Sequence, residues 1–404
     1  MLHEGNSLFK TDALNEFSAT NMRFTNIKSK SNEDILPEIF DISALDVSKD
    51  TDLEIRNVTI SDSDVRFVEF SRISNFENSS NSLIISDFIY TNSLISAETS
   101  LLSFVNMIAD TDFSINMNRI SFLNIEFATK GSLLVFKQQL SNKLTITDLD
   151  ISNTRNAIIE SIASSIQNSQ LPCRVSISNL TTTNVFTGFS SLMNVYENTE
   201  FEIRDSELTG IYSFEGAAVL YAGYQNALVS IYNTQIKYNS GIDSAVFTVD
   251  SSSIIRLYDC NLFSNFGLTA GIVKAENNGQ FQFHRCNFTE NSSNSYPIAQ
   301  LFDVPIAPVL DHCIIHTHLR YSKSQILSLM QEPFNCGLIC FFNEEYKQYL
   351  KDNQNLMLAS SQGFLIQLIS SSIEILNGTV VYDEYYFLDA FVSTVTMRDI
   401  IISD

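Results

Sequence analysis

Ile203-Arg204-Asp205-Ser206-Glu207-Leu208, Ile231-Tyr232-Asn233-Thr234-Gln235-Ile236 and Leu257-Tyr258-Asp259-Cys260-Asn261-Leu262 are three copies of one pattern. An apolar residue is followed by two positions, the second usually Asn or Asp, then by a small or apolar residue, a spacer and another apolar residue. Earlier copies run from Ile55 to Ile60, Ile85 to Phe88, Ile146 to Ile151 and Ile177 to Leu180. Later ones run from Phe283 to Phe288, Leu310 to Ile315, Ile375 to Val380 and Met397 to Ile402, and a degenerate copy with slipped register spans Ile115 to Phe122. The copies recur about every 26 to 31 residues, the mark of a repeat architecture.

Inward side chains alternate with period two within a copy, as in a strand, and the two-residue step breaks that parity, so the chain must turn a corner there. Asn and Asp suit such corners because their short polar side chains bond local backbone and tolerate positive φ. Second apolar runs precede most corners, among them Ala217 to Tyr221, Ser244 to Val249 and Ala270 to Lys274. Each unit therefore supplies two or three short strands. One unit cannot bury its own apolar face, whereas stacked units bury a continuous core and pair in parallel. Helical crossovers need roughly a dozen residues of 3.6 period, and the Ser-, Asn- and Thr-rich spacers are mostly too short for that.

These residues resemble the right-handed parallel β-helix, or pectin-lyase-like, superfamily over most of the chain from about Asn21 onward. The resemblance implies the handedness, in line with the right-handed rule for parallel crossovers. The expected fold is an all-β, right-handed parallel β-helix solenoid of about twelve coils with one partly helical insertion. In its Asn-, Ser- and Ile-rich composition the chain is similar to large surface β-helix proteins of ciliated protists.

The domain reading follows from where the repeat holds. Residues 1–20 are an N-terminal extension or cap, 21–318 the β-helix, 319–370 an insertion, and 371–404 a continuation that stops in mid-coil. Within the insertion, Asn343 to Leu350 opens with an N-cap residue and an acidic first turn, which predicts a short helix. The uncapped last copy points to a segment of a longer polypeptide or to a packed end in an assembly. No charged, apolar leader opens the sequence and no stretch of 18 apolar residues is present, so neither a signal peptide nor a membrane span is expected in this segment.

With 46 acidic against 24 basic residues the net charge is −22, which argues against nucleic acid and anionic membranes as partners. Cys260, Cys286 and Cys313 fall at one place in consecutive copies, after Ser206 and Thr234 in the same column, and are expected to stack as buried free thiols. Cys336 and Cys340 lie in the insertion and are the candidate disulfide for an oxidising compartment; Cys173 has no evident partner. His316 and His318 with Cys336 and Cys340 form the sharpest metal hypothesis, a tetrahedral zinc site, weighed against a surface histidine pair beside a disulfide, which is favoured. Sequons occur at Asn57, Asn78, Asn179, Asn287, Asn291 and Asn377. Asn78 and Asn291 sit in polar, loop-like stretches and are the glycosylation candidates, whereas Asn57, Asn179 and Asn377 occupy corners where the side chain can turn inward.

Catalysis is tested by its own requirements. Lyases of the resembled fold need carboxylates holding Ca²⁺ and a nearby Arg or Lys base on one face, and its hydrolases imply an Asp pair with a His between glycines. No Asp-Asp pair and no Gly-His-Gly occur, and the corner Asp residues, Asp205 and Asp259 among them, recur as structural positions. Most aromatics, such as Phe281, Phe283 and Phe288, fall on inward columns and read as core. The expected function is a non-catalytic structural or interaction module without catalytic residues, cofactor or bound metal: a β-helical rod presenting surfaces to protein or glycan partners. Its expected place is an extracellular or cell-surface assembly; the alternative is an intracellular assembly such as a cilium. The competing function is a carbohydrate-binding or polysaccharide-cleaving β-helix.

Overall fold

The computed structural model describes residues 7–11, 18–28, 36, 38–42, 45–47, 53–70, 73–75, 82–109, 114–138, 143–163, 172–188, 190–224, 226–267, 269–293, 296–316, 364–381 and 386–403. Among these, every regular element is a strand, every described pairing is parallel, and no helix is long and apolar enough to cross a membrane. The fold is a parallel β-solenoid. The chain divides into two compact units, one of Met1–Gly188, Leu192–Ser206 and Tyr224–Ser230, the other of Phe189–Ser191, Glu207–Gly223 and Ile231–Asp404.

In the first unit Ser18–Thr25, Leu53–Ser61, Ser82–Ile95, Ser114–Gln138, Lys143–Ala163, Cys173–Phe186 and Thr199–Arg204 form a ladder of seven strands. In the second, Glu207–Thr209, Gln235–Lys237, Asn261–Phe263, Asn287–Thr289, Ile314–His316, Thr379–Val381 and Ile401–Ser403 form another of seven. The apolar runs before the corners are strands as expected: Leu220–Ala222 pairs with Phe247–Val249, which pairs with Val273–Glu276.

The corners have the geometry that their residue types require. Asn57, Asp87, Asp148, Asn179 and Asp205 in the first unit, and Asn233, Asp259, Asn377 and Asp399 in the second, have φ between 48° and 58°. Where the pattern lacks Asn or Asp, Arg119, Arg285 and His312 take the same conformation at φ 55°, 52° and 53°, so the corner outlasts the residue preference. A second positive-φ corner, at Asp62, Asn92, Asn124, Asn153 and Asn184, follows the first by five residues. Its periodicity is present in the sequence, hidden inside runs that read as continuous strands.

Interior columns are stacks of like side chains. Phe40, Phe67, Phe88 and Phe122 follow one another with centroids 5.4, 4.8 and 6.1 Å apart. In the second unit Phe281, Phe283 and Phe288 are fully buried in mutual contact. Burial of each such ring contributes roughly 1.5–3 kcal/mol.

Polar interior columns solve a backbone problem. After a positive-φ corner the next N–H does not face a carbonyl of the neighbouring coil, and a buried N–H without an acceptor is costly. A side chain of the following coil supplies the acceptor: Ser93 Oγ for Ser63 N at 3.1 Å, Ser206 Oγ for Leu180 N at 3.0 Å, Ser371 Oγ for Val304 N at 3.0 Å. In the second unit an asparagine ladder does this at the other corner. Asn239, Asn265 and Asn291 are buried; Asn265 Oδ1 accepts from Asn239 N and Nδ2 at 3.1 and 3.0 Å, and Asn265 Nδ2 donates to Ile236 O and Asn291 Oδ1 at 2.8 and 2.9 Å.

Replacement of Asn265 by Ala strands the Asn239 donors and the Ile236 carbonyl in the interior. We expect Asn265→Ala to lose about 1–3 kcal/mol in urea denaturation; a loss below about 0.5 kcal/mol would show that the ladder is not a stabilising element.

Candidate functional site

The first unit carries a lateral groove of about 350 Å³ lined by Lys143, Arg174, Ser176, Glu200, Glu202, Leu228 and Ser230, with Val175 and Phe201 at its base. The parallel register builds it. Lys143 lies beside Arg174, which lies beside Glu200; Ser176 lies beside Glu202. Period two directs these side chains outward while Leu144, Val175 and Phe201 face the core.

Charges in the groove are already engaged with one another. Arg174 Nε donates to Glu200 Oε2 at 2.9 Å, and Arg204 donates from Nε and Nη2 to the two oxygens of Glu202 at 2.6 and 2.9 Å. Ser176 Oγ adds a contact to Glu202 Oε1 at 3.3 Å. The Arg204 hydrogen bond, ahead of partial burial that acts the other way, holds the Glu202 carboxyl below the usual glutamate value. Both carboxyls of the groove, Glu200 and Glu202, are thus held by an arginine.

On the second unit an outward column was not singled out from the sequence. Tyr232, Tyr258 and His284 stack face to face, with centroids 5.0 and 5.2 Å apart and planes within 9° and 8° of parallel. His284 Nδ1 lies 3.3 Å from Asp311 Oδ2, and His312 Nδ1 lies 2.7 Å from Asp311 Oδ1. Tyr232, Tyr258 and His284 each stand immediately before a corner residue, so alignment of the copies carries the signal. Corner side chains pair along the column as well: Arg119 forks onto Asp87, and Arg285 onto Asp259 at 2.7 Å for both bonds.

The sequence candidates fall in very different places. Asn291 is fully buried in the asparagine ladder, its amide donating to Leu262 O at 2.7 Å; the polar stretch around it is an interior corner and not a loop. The corner residues Asn57, Asn179 and Asn377 instead face outward, bonding Asn21, Asp148 and Asp311 at 2.7, 2.9 and 3.1 Å. The polar corner turned its apolar neighbours inward and itself outward. His316 is exposed at the end of its strand, while Asn78, His318, Cys336, Cys340 and the helix expected at Asn343 to Leu350 lie outside the described residues. Among the described residues no three His, Cys, Asp or Glu side chains converge as a metal site.

Phe364–Ile369, placed in the insertion by the sequence, pairs with Ala299–Phe302 as part of the solenoid. Phe9–Thr11, placed in the extension, pairs with Glu38–Ile42. Cys260, Cys286 and Cys313 are buried free cysteines, as is Cys173, whose thiol burial pushes up to about 12. Comparison of the chain with protein-family models, with curated proteins and with solved structures gives no match.

Because the folded value of Glu202 lies below its ordinary 4.5, its ion pair stabilises the fold above about pH 4.5, and that contribution is lost as pH falls through the lower folded value. Arg204→Gln should raise the Glu202 carboxyl titration in a ¹³C NMR pH series and flatten the acid limb of stability. An unchanged titration would show that Arg204 does not set it.

Proposed function

We propose that this chain is a non-catalytic structural and interaction module of the pectin-lyase-like β-helix type, joined to its neighbours through the edge of its last coil. The observation that carries this reading is the state of that edge. Leu388, Ala390, Val395, Met397 and Ile402 are register partners of Ile366, Leu368, Ile373, Ile375 and Val380. The inner set is buried, at 7 % exposure or less, whereas Met397 is 43 % and Ile402 71 % exposed. The column chemistry continues into the final coil, so the edge is shaped for a further parallel coil, with open backbone groups that favour strand addition.

The covering coil is supplied by more of the same polypeptide or by a protein neighbour. Net charge of −22 favours neighbours with a less acidic face and disfavours nucleic acid. An extracellular or cell-surface assembly like those of ciliated protists suits the reading, with an intracellular assembly such as a cilium as the other setting. Neither catalytic residues nor a cofactor enter it.

A second reading, carbohydrate binding, is favoured by the groove over Lys143, Arg174, Glu200 and Glu202, where paired ionic groups offer hydrogen bonds beside the apolar floor of Phe201.

The assembly reading predicts that the 404-residue chain associates in a concentration-dependent way in light scattering. Met397→Lys with Ile402→Lys should abolish this without lowering Tm, since both side chains are largely exposed. Association that persists in the double variant, or a chain that stays monomeric at every concentration, overturns the reading; binding of an acidic oligosaccharide lost in Arg174→Ala would establish the second one instead.

A further inference from the structure

Three free thiols in the second unit are stacked in one column. Cys260, Cys286 and Cys313 each follow a positive-φ corner, at Asp259, Arg285 and His312. The residues after them are register partners, Asn261 with Asn287 and Asn287 with Ile314. Backbone bonds tie the same three levels: Asn287 N donates to Cys260 O, and Ile314 N to Cys286 O, both at 2.9 Å. The three side chains therefore point inward from equivalent backbone positions, at 1, 1 and 3 % exposure.

From this geometry we propose that the column is a linear two-coordinate site for a soft d¹⁰ cation, Cu(I) in a cell, held between the Cys286 sulfur and that of Cys260 or Cys313.

The spacing fits such an ion. Neighbouring strands repeat at about 4.8 Å, and a metal–thiolate bond of about 2.3 Å places two opposed sulfurs about 4.6 Å apart, so an ion sits on the column axis without displacing backbone. Hard or tetrahedral ions do not fit a straight row of sulfurs, whereas thiolates select Cu(I). The Cys286 side chain bonds the sulfurs on either side of it, and the backbone of Thr234 and of Cys286 adds a contact to Cys260 and Cys313. The thiols turn to carbonyls, Cys260 to Tyr258 O at 3.3 Å, Cys286 to His284 O at 3.4 Å and Cys313 to Phe283 O at 3.3 Å. Cys286 is buried and flanked by sulfur on both sides, so a soft cation between the sulfurs is what would compensate for loss of its proton.

Binding forms two S–Cu bonds and breaks S–H bonds whose protons leave to solvent; copper stays Cu(I) throughout. If one of the two thiols keeps its proton, the bound site is uncharged, the form that an apolar interior favours. Cys286 belongs to both adjacent pairs, so the column holds one linear ion per chain.

The test uses the reduced full chain carrying Cys336→Ser and Cys340→Ser, titrated with Cu(I) from a competing chelator and followed by thiolate-to-copper ultraviolet absorption and metal content. One ion per chain is expected, with a rise in Tm from binding to the folded state. Cys260→Ser and Cys313→Ser should each retain the ion, because one pair survives, while Cys286→Ser should weaken uptake by about tenfold or more. Cys173→Ser, off the column, should change nothing. No uptake against the chelator, or equal uptake with Cys286→Ser, overturns the proposal. Should Cys286→Ser fail to fold, the paired Cys260→Ser and Cys313→Ser variant removes both partners and must lose the ion while each single variant keeps it.

Discussion

The positive-φ corner is the constraint on which the rest of this structure depends. One left-handed residue reverses the parity of the strand, which lets the chain leave a straight ladder and return one coil later in register. That step leaves an amide N–H without a carbonyl opposite it. The interior Ser, Thr and Asn columns exist because that amide must be met: the Ser63–Ser93 and Leu180–Ser206 contacts and the asparagine ladder supply the acceptor. Backbone turn and polar interior are thus one device, repeated at each coil.

Register turns chemical similarity into a liability as well as an asset. Parallel stacking sets like positions side by side, which suits Phe on Phe but would set Asp on Asp along an acidic chain of net charge −22, and like charges directly opposed destabilise. Corner columns avoid this by alternation. Asp87 meets Arg119, Asp148 meets Asn179, and Asp259 meets Arg285. Exposed ion pairs of this kind contribute little each; their effect is to remove repulsion that would otherwise recur at each level.

The fold was legible because its signals are periodic. Ile203-Arg204-Asp205 and its copies announce corner, strand and inward column together, and the corner conformation holds even where Arg119, Arg285 or His312 replaces Asn or Asp. Orientation was harder to read. A polar stretch around Asn291 looks like a loop, yet its amide lies in the core, because its oxygen accepts from Asn265 N and Nδ2 and its nitrogen donates to Leu262 O. Single-residue polarity cannot show that; the column Asn239, Asn265, Asn291 can. The Tyr232, Tyr258, His284 stack was missed for the same reason, since its members look unrelated until placed one above another.

Columns are also the level at which function has to be sought in a chain of this kind. A single coil brings only a few outward side chains to any one face, so no coil by itself builds a converging cluster, and catalytic geometry demands convergence. What stacking does offer is repetition at a fixed spacing of about 4.8 Å. Chemistry that matches that spacing, whether a strand added at the final edge beyond Met397 and Ile402 or an ion seated between sulfurs of the Cys260, Cys286, Cys313 column, needs no cleft. The surfaces of this protein are therefore specified by sequence positions a whole coil apart, and substitutions at one level act through the neighbours directly above and below it.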